Sequence, residues 1–457
     1  MNFSIIQKSQ LGYTDRIDAE YYQPVFLELE KSLSKFKSET LDQISLVTGG
    51  KRLPVGETFS ETGIPYVRIV DIYNTFIDID NVQLISEHLH KLLNRYQINN
   101  RDILLTIVGN TVGLIGYNQL NLNGINFTEN CARIRTSKLT PEYLLIVLLS
   151  RIGQLQVSRE KVGTAQPKLS LDRLRKFLIP ITSNSVQQTI KTYADKALSL
   201  FEESKHLYQQ AEKLLLDELG LTDFKPREDL SFVANLSEVA EANRVDSDFF
   251  QPKYEQIIEI LGRKQLKKLD DYFQVIRSKY FDYSNEGDIG VIKTKQLGKQ
   301  FIGFEVEDRT KAKTVEKEKL PIIKNSDVVF ASMGVGSLGK TNIVYDFELN
   351  REKFTIDSTL RIFRSKGSGL LPEVLSVYLA SPIGQELIYK YVVGTSGIIS
   401  IYENYLSNFP VPVLPKEMQE RIADLIRKSH EVRKKSKELL KEAKREVEEM
   451  IEKGGDN

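Results

Sequence analysis

Arg16-Ile-Asp-Ala-Glu-Tyr-Tyr-Gln-Pro24 returns 228 residues later as Arg244-Val-Asp-Ser-Asp-Phe-Phe-Gln-Pro252. Basic residue, acidic residue, aromatic pair, glutamine and proline keep their places, so one structural plan is written twice in the chain. The correspondence runs on in order. Asn100-Arg-Asp-Ile-Leu-Leu matches Asn325-Ser-Asp-Val-Val-Phe, and Val162-Gly-Thr164 matches Val393-Gly-Thr395. Arg173-Leu-Arg-Lys-Phe-Leu-Ile-Pro-Ile181 then aligns with Tyr405-Leu-Ser-Asn-Phe-Pro-Val-Pro-Val413, and Gln187-Gln-Thr-Ile190 with Gln419-Glu-Arg-Ile422. The recurrent Arg16, Asp18, Gln23 and Pro24, with Arg244, Asp246, Gln251 and Pro252, read as a shared structural duty. Asp18 and Asp246 are candidate helix caps; docking of a partner is the alternative.

Each copy divides into a globular and a helical part. The globular parts, 1–182 and 221–412 (with a linker over 221–243), carry short β-branched and aromatic runs such as Ile64-Pro-Tyr-Val-Arg-Ile-Val-Asp-Ile72, punctuated by Gly and Asn. They predict mixed α/β domains of the α+β kind with a strand-built centre, joined by helices opening at Pro141 and Pro372. The helical parts, 183–220 and 413–457, repeat a spacing of four and three. In the first the seam is Ile190, Ala194, Ala197, Phe201, Ser204, Tyr208, Ala211 and Leu215. In the second it is Ile422, Ile426, Ser429, Arg433, Ser436, Leu440, Ala443, Val447 and Met450. Gly220 and Gly454 stand where such helices stop. Helices of this length, about 50 Å at 1.5 Å per residue, would pair as an antiparallel coiled coil. Such a rod would hold two similar domains apart by one to one and a half turns of DNA, roughly 34 Å per turn.

At 457 residues, 41% hydrophobic and 27% charged, the composition is that of ordinary globular protein. The opening Met1-Asn-Phe-Ser-Ile-Ile-Gln-Lys lacks the pattern of a signal peptide, and no apolar run is long enough to span a bilayer. A single cysteine, Cys131, sits in a strand-like run and reads as a core residue. A cytoplasmic protein without membrane contact is expected. The 63 Lys and Arg balance 62 Asp and Glu, so total charge does not mark a nucleic-acid binder; local cations would have to do so. His88 and His90 have no obvious third partner among four histidines and one cysteine, and no metal site is expected.

The duplicated order of globular domain, Gly-Thr loop, apolar-Pro strand and Gln-x-x-Ile helix start resembles, over the whole chain, the specificity subunit of Type I restriction-modification enzymes. The resemblance implies a protein without catalytic residues or cofactor of its own. It would read a split target in double-stranded DNA and recruit two methyltransferase subunits and then restriction subunits; S-adenosylmethionine, ATP and magnesium would belong to those partners. The residues agree. No Pro-Pro or Pro-Asp dipeptide occurs, which removes the Asn-Pro-Pro-aromatic motif of adenine methyltransferases and a common start of nuclease metal motifs.

Candidate DNA contacts are cations and amides on expected loops and strand ends: Lys51, Arg52, Arg68, Gln166 and Lys168 in the first copy, and Arg277, Lys279, Lys293, Lys295 and Lys340 in the second. A solvated surface charge is the plainer reading at each. The loops at Gly163-Thr-Ala-Gln-Pro-Lys168 and Gly394-Thr-Ser396 suit backbone bonding or DNA contact equally. Two other functions compete. Gly334-Val-Gly-Ser-Leu-Gly-Lys-Thr341 spells a phosphate loop and would make the chain a nucleotide hydrolase, but Asn-Ile-Val-Tyr-Asp follows it where a helix is required. The paired helices alone would make a protein-joining scaffold.

Overall fold

A computed structural model describes residues 4–7, 11, 16–73, 75–80, 82–119, 123–225, 229–367, 369–394 and 397–453. It contains two compact units. One comprises Met1–Leu200 with Lys435–Asn457, the other Phe201–Lys434.

In the first unit a six-stranded sheet runs in the order Ser45–Gly49, Cys131–Thr136, Ile103–Thr106, Ile115–Tyr117, Thr75–Ile77, Ile72–Tyr73. A four-stranded sheet has the order Gln83–Ile85, Ile64–Val67, Ile125–Phe127, Gln97–Ile98, with the middle two strands parallel. The second unit repeats the centre of each. Its larger sheet is Phe273–Arg277, Leu360–Ser365, Val328–Ala331, Thr341–Ile343, and its smaller one is Arg309–Thr310, Ile289–Ile292, Lys353–Ile356 with the last two parallel. Ile103–Thr106 and Val328–Ala331 are buried at every position, which is why neither alternates apolar with polar residues. The helices Pro141–Leu149 and Pro372–Ala380 begin on proline and are apolar around most of their circumference, because both lie inside their cores.

The residues that recur in sequence are the joints of this frame. Asp102 and Asp327 follow residues in left-handed backbone, Arg101 at φ 67° and Ser326 at φ 63°. Each carboxylate accepts the backbone N–H three residues earlier, at 2.7 Å from Asn99 and from Lys324. Each also takes both prongs of an arginine from the neighbouring strand, Arg135 at 2.7 and 2.5 Å and Arg364 at 2.8 and 2.7 Å. The buried amides of Gln187 and Gln419 tie each long helix to its domain, accepting from Thr140 N at 3.0 Å and from Leu371 N at 2.9 Å. Arg16 and Arg244 stack on Tyr21 and Phe249, both at 4.5 Å, and reach the carbonyls of Arg159 and Val392. Asp18 and Asp246 were expected as caps. They do precede short 3-10 turns, but neither side chain caps; the arginine two residues before each takes the carboxylate instead. A two-pronged charged bond is stronger than a single N–H cap.

The two long helices are Asn184–Leu219 and Lys416–Glu452, and each contributes one half to each unit. Gly220, at φ 72°, follows the first; Gly454 lies outside the described residues. Within each unit the two halves run antiparallel. In the first, Ser436 Oγ donates to Ala197 O at 2.6 Å, and Ser185 and Thr189 share a groove with Glu449 and Lys453. In the second, Ser429 Oγ donates to Ser204 O at 2.6 Å and the Arg433 guanidinium lies 3.7 Å from the Phe201 ring centre. Ile190, Ala194, Phe201, Tyr208 and Leu215 are buried, as are Ile422, Ile426 and Val447, while Leu440 is half-buried. Among the described residues no helix is long and apolar enough to cross a membrane.

Candidate nucleic-acid interface

In each unit two parallel strands end side by side, and cations collect at their carboxyl ends. The strand Ile64–Val67 leads into Arg68, whose backbone N–H is held by Asp71 at 2.8 Å and whose guanidinium meets the same carboxylate at 3.1 and 3.2 Å. Beside it, Lys51 N donates to Phe127 O at 3.1 Å, and the Tyr66 hydroxyl donates to Lys51 O at 2.6 Å. Arg52 pairs with Glu129 at 2.8 Å. The structure thus brings Lys51, Arg52 and Arg68 to one edge.

The second unit builds the same edge from different residues. Lys293 follows the strand Ile289–Ile292 as Arg68 follows its own, with its N–H held by Gln296 Oε1 at 3.0 Å. Lys293 and Lys295 converge on Asp308 at 3.0 and 3.2 Å, and Lys293 Nζ sits 4.1 Å from the Tyr283 ring centre. Arg277 and Lys279 diverge, Arg277 to Glu403 at 3.7 Å and Lys279 to Glu318 at 2.8 Å. All four candidates are thus held by carboxylates on other segments. Lys293–Asp308 is half-buried on both sides, whereas pairs that reach the surface, such as Arg277–Glu403, are worth only about 0–1 kcal/mol. A phosphate, whose capture also releases counterions, can displace such a carboxylate at little cost.

Gln166 and Lys168 lie on the Gly-Thr loop. Its backbone is zipped by mutual Val162 and Lys168 bonds of 2.8 Å and by Gly109 N to Pro167 O at 2.9 Å, leaving both side chains exposed. The second copy does the same with Gly334 N to Ile399 O at 2.9 Å; Thr395 and Ser396 lie outside the described residues. In both copies, therefore, the Gly-Thr loop is fastened to the glycine-rich turn.

That turn is not a phosphate loop. The strands Val328–Ala331 and Thr341–Ile343 pair antiparallel across it, and its N–H groups are spent internally: Ser337 and Leu338 on Gly334 O, and Gly339 on Ala331 O. Gly339 adopts φ 89°, a Cβ there would lie 2.5 Å from Gln385 Oε1, and Gln385 Nε2 donates to its carbonyl at 3.0 Å. Gly113 occupies the same place in the first copy, φ 95°, with Gln154 Nε2 on its carbonyl at 3.2 Å. Lys340 is left half-exposed on this turn.

Two residues at the second edge escaped the sequence reading. Asp357 follows the parallel strand Lys353–Ile356, and burial raises its carboxyl above the ordinary range although Thr359 donates to it. Arg361 is held by Ser358 O at 2.9 Å and Leu360 O at 2.7 Å, with its guanidinium lowered by burial. Neither carries a local signal: parallel pairing brings Asp357 near Lys293, and antiparallel pairing sets Arg361 opposite Arg277. Elsewhere, Cys131 is buried and its thiol is pushed up to about 12 by that burial, as befits a core residue. His90 Nδ1 is engaged by Asn126 at 2.7 Å. Among the described residues no group of three or more His, Cys, Asp or Glu is placed to hold a metal ion.

Fold and site define a class: a mixed α/β domain written twice, with cations at parallel strand ends, mounted on a pair of long helices. The Type I restriction modification DNA specificity domain matches residues 34–213 and again 263–447. The chain belongs to this family. It is similar to the Type I restriction enzyme EcoBI specificity subunit of Escherichia coli, 29% identical over 130 residues, a match spanning 28% of this chain and 27% of that protein. Among solved structures, the Type-I restriction-modification system S subunit from M. genitalium is 12% identical, with a TM-score of 0.40, covering 92% of this chain and 96% of that one. The HsdS subunit from Thermoanaerobacter tengcongensis is 16% identical with a TM-score of 0.29, covering 92% and 96%.

Proposed function

We propose that the chain is the target-reading subunit of a Type I restriction-modification enzyme, each copy reading one half of a bipartite sequence in double-stranded DNA. Lys51, Arg52, Arg68, Gln166 and Lys168 serve one half, and Arg277, Lys279, Lys293, Lys295 and Lys340 the other, with Asp357 and Arg361 added at the second edge. The long helices govern the length of the unread spacer. Two methyltransferase subunits and the restriction subunits carry out the chemistry, with S-adenosylmethionine, ATP and magnesium bound in those partners, in the cytoplasm and away from membrane.

One observation carries this reading. The frames of the two copies are alike down to the Asp102–Arg135 and Asp327–Arg364 locks, while the cations at the strand ends differ in type, number and partner. A common scaffold with unlike reading edges is what two unlike half-sites require. The nucleotide-hydrolase alternative loses its support from the turn described above. The test is to express the chain with a methyltransferase subunit from the same genome and map methylated adenines. A split motif is expected; methylation at a contiguous motif, or none above background, would refute the reading.

A further inference from the structure

Where the glycine-rich turn is fastened to the Gly-Thr loop, the two copies keep one backbone and change its chemistry. In the first, Gly109 N donates to Pro167 O and Leu169 N to Ile107 O, both at 2.9 Å. In the second, Gly334 N donates to Ile399 O at 2.9 Å and Ile401 N to Ser332 O at 3.0 Å. The residues next beyond the outermost bond, one on each segment, form the tip: Asn110 and Gln166 in the first copy, Val335 and Ile398 in the second. All four are exposed, Val335 at 66% and Ile398 at 71%. A third exposed apolar residue, Tyr402 at 58%, follows the strand Ser400–Ile401, at the helix start where the first copy has Ser170. Each tip is continuous with the cationic edge of its own unit. Ser332 N and Oγ donate to Thr359 O at 3.0 and 2.9 Å, and Thr359 N donates to Asp357 at 3.0 Å. Ile107 N donates to Asn130 O at 2.8 Å, next to the Glu129 that holds Arg52. Lys340, on the turn that carries Val335, adds a cation.

A partner protein common to both copies would meet one chemistry at both tips. An amide pair on one and an apolar pair on the other, over the same backbone, suit instead a ligand whose shape is constant while its groups differ, and the base edges of a duplex are such a ligand. In the major groove an amide side chain pairs with adenine, whereas an apolar one packs on the thymine methyl. Apolar side chains make no hydrogen bond to a base edge, which leaves that methyl as the feature they tell apart. We infer that the tips read bases, and that Val335 with Ile398 recognises the 5-methyl group of a thymine in the half-site of the second unit. This names the ligand of the second reading surface and rests on the DNA-reading function proposed above.

The full chain and a double variant, Val335→Asn with Ile398→Gln, which puts the first copy's chemistry on the second tip, are each assembled with a methyltransferase subunit from the same genome. Binding to a duplex of the mapped target is measured at fixed salt, with deoxyuridine replacing thymine in one half-site at a time, a change that removes only the methyl. In one half-site the parent complex is expected to lose about four-fold in affinity for each methyl contacted, and the variant to lose nothing. In the other half-site the two respond alike. Indifference of the parent to deoxyuridine in both half-sites, or a target without thymine in one of them, would overturn the inference without any variant. So would a variant as sensitive as the parent, or one that sheds the methyltransferase subunit in native mass spectrometry with circular dichroism unchanged, which would make the tip a protein contact. A parent complex that methylates no split motif would defeat the DNA-reading function itself, whereas a split motif read without regard to the methyl would defeat this inference alone.

Discussion

Glu142 shows how one buried charge is made tolerable. Its side chain is 3% exposed, receiving the Tyr117 hydroxyl at 2.5 Å and Arg101 Nη2 at 2.6 Å. Burial alone would raise the carboxyl, but these donors outweigh it and hold it below the ordinary range. Such a group adds stability that is complete above about pH 4.3, the ordinary glutamate value, and is lost as pH falls through the depressed folded value. Glu142→Gln should therefore flatten the acid limb of the unfolding curve. It should also cost about 1–2 kcal/mol at neutral pH, read by urea titration from pH 7 down to 3; an unchanged acid limb would contradict the assignment. The second copy meets the same need differently, Glu373 receiving Tyr345 at 3.2 Å and Arg427, on the second long helix, at 3.3 Å. At this scale the sequence was partly readable. The Asn-x-Asp motif stood out as a repeat, because Asp102 and Asp327 keep one place in both copies, but the left-handed backbone before each was not read from it. The arginines that lock those acids lie 33 and 37 residues away, and nothing local announces them.

The long helices were the most legible elements, since a four-three spacing without Gly or Pro depends only on neighbours along the chain. Their seam serines have a physical reason: small side chains let the helices approach, and each hydroxyl of Ser429 and Ser436 is satisfied by a carbonyl of the opposite helix. Ser429→Ala and Ser436→Ala should each cost about 1 kcal/mol, seen as a lower melting temperature with the complex still assembling. A rise in melting temperature would mean that those bonds contribute nothing. The glycine-rich turn was legible for the opposite reason. Its letters spelled a phosphate loop, but the strand-like run after Thr341 predicted the strand that is found at Thr341–Ile343. The edge strands were not legible, because two- and three-residue strands such as Gln97–Ile98 and Arg309–Thr310 are set by tertiary pairing rather than propensity.

For the molecule as a whole, duplication is the property from which function follows. Under the proposed function, two copies of one frame would let the reading edges diverge without loss of the scaffold, so that the halves of the target become independent of each other. That independence was foreshadowed by the repeated motifs, whereas the edges themselves depend on parallel strands whose partners stand about sixty residues apart, Ile289–Ile292 beside Lys353–Ile356. Net charge gave no help, because the cations at the edges are offset by the carboxylates that hold them. The most direct measurement is an exchange: residues 273–365 are replaced by the same segment of a family member with another target, and adenine methylation is mapped across a genome. The account requires that one half of the split motif change while the other half and the methylation itself persist. Coupled change of both halves, or an unaltered motif, would contradict it.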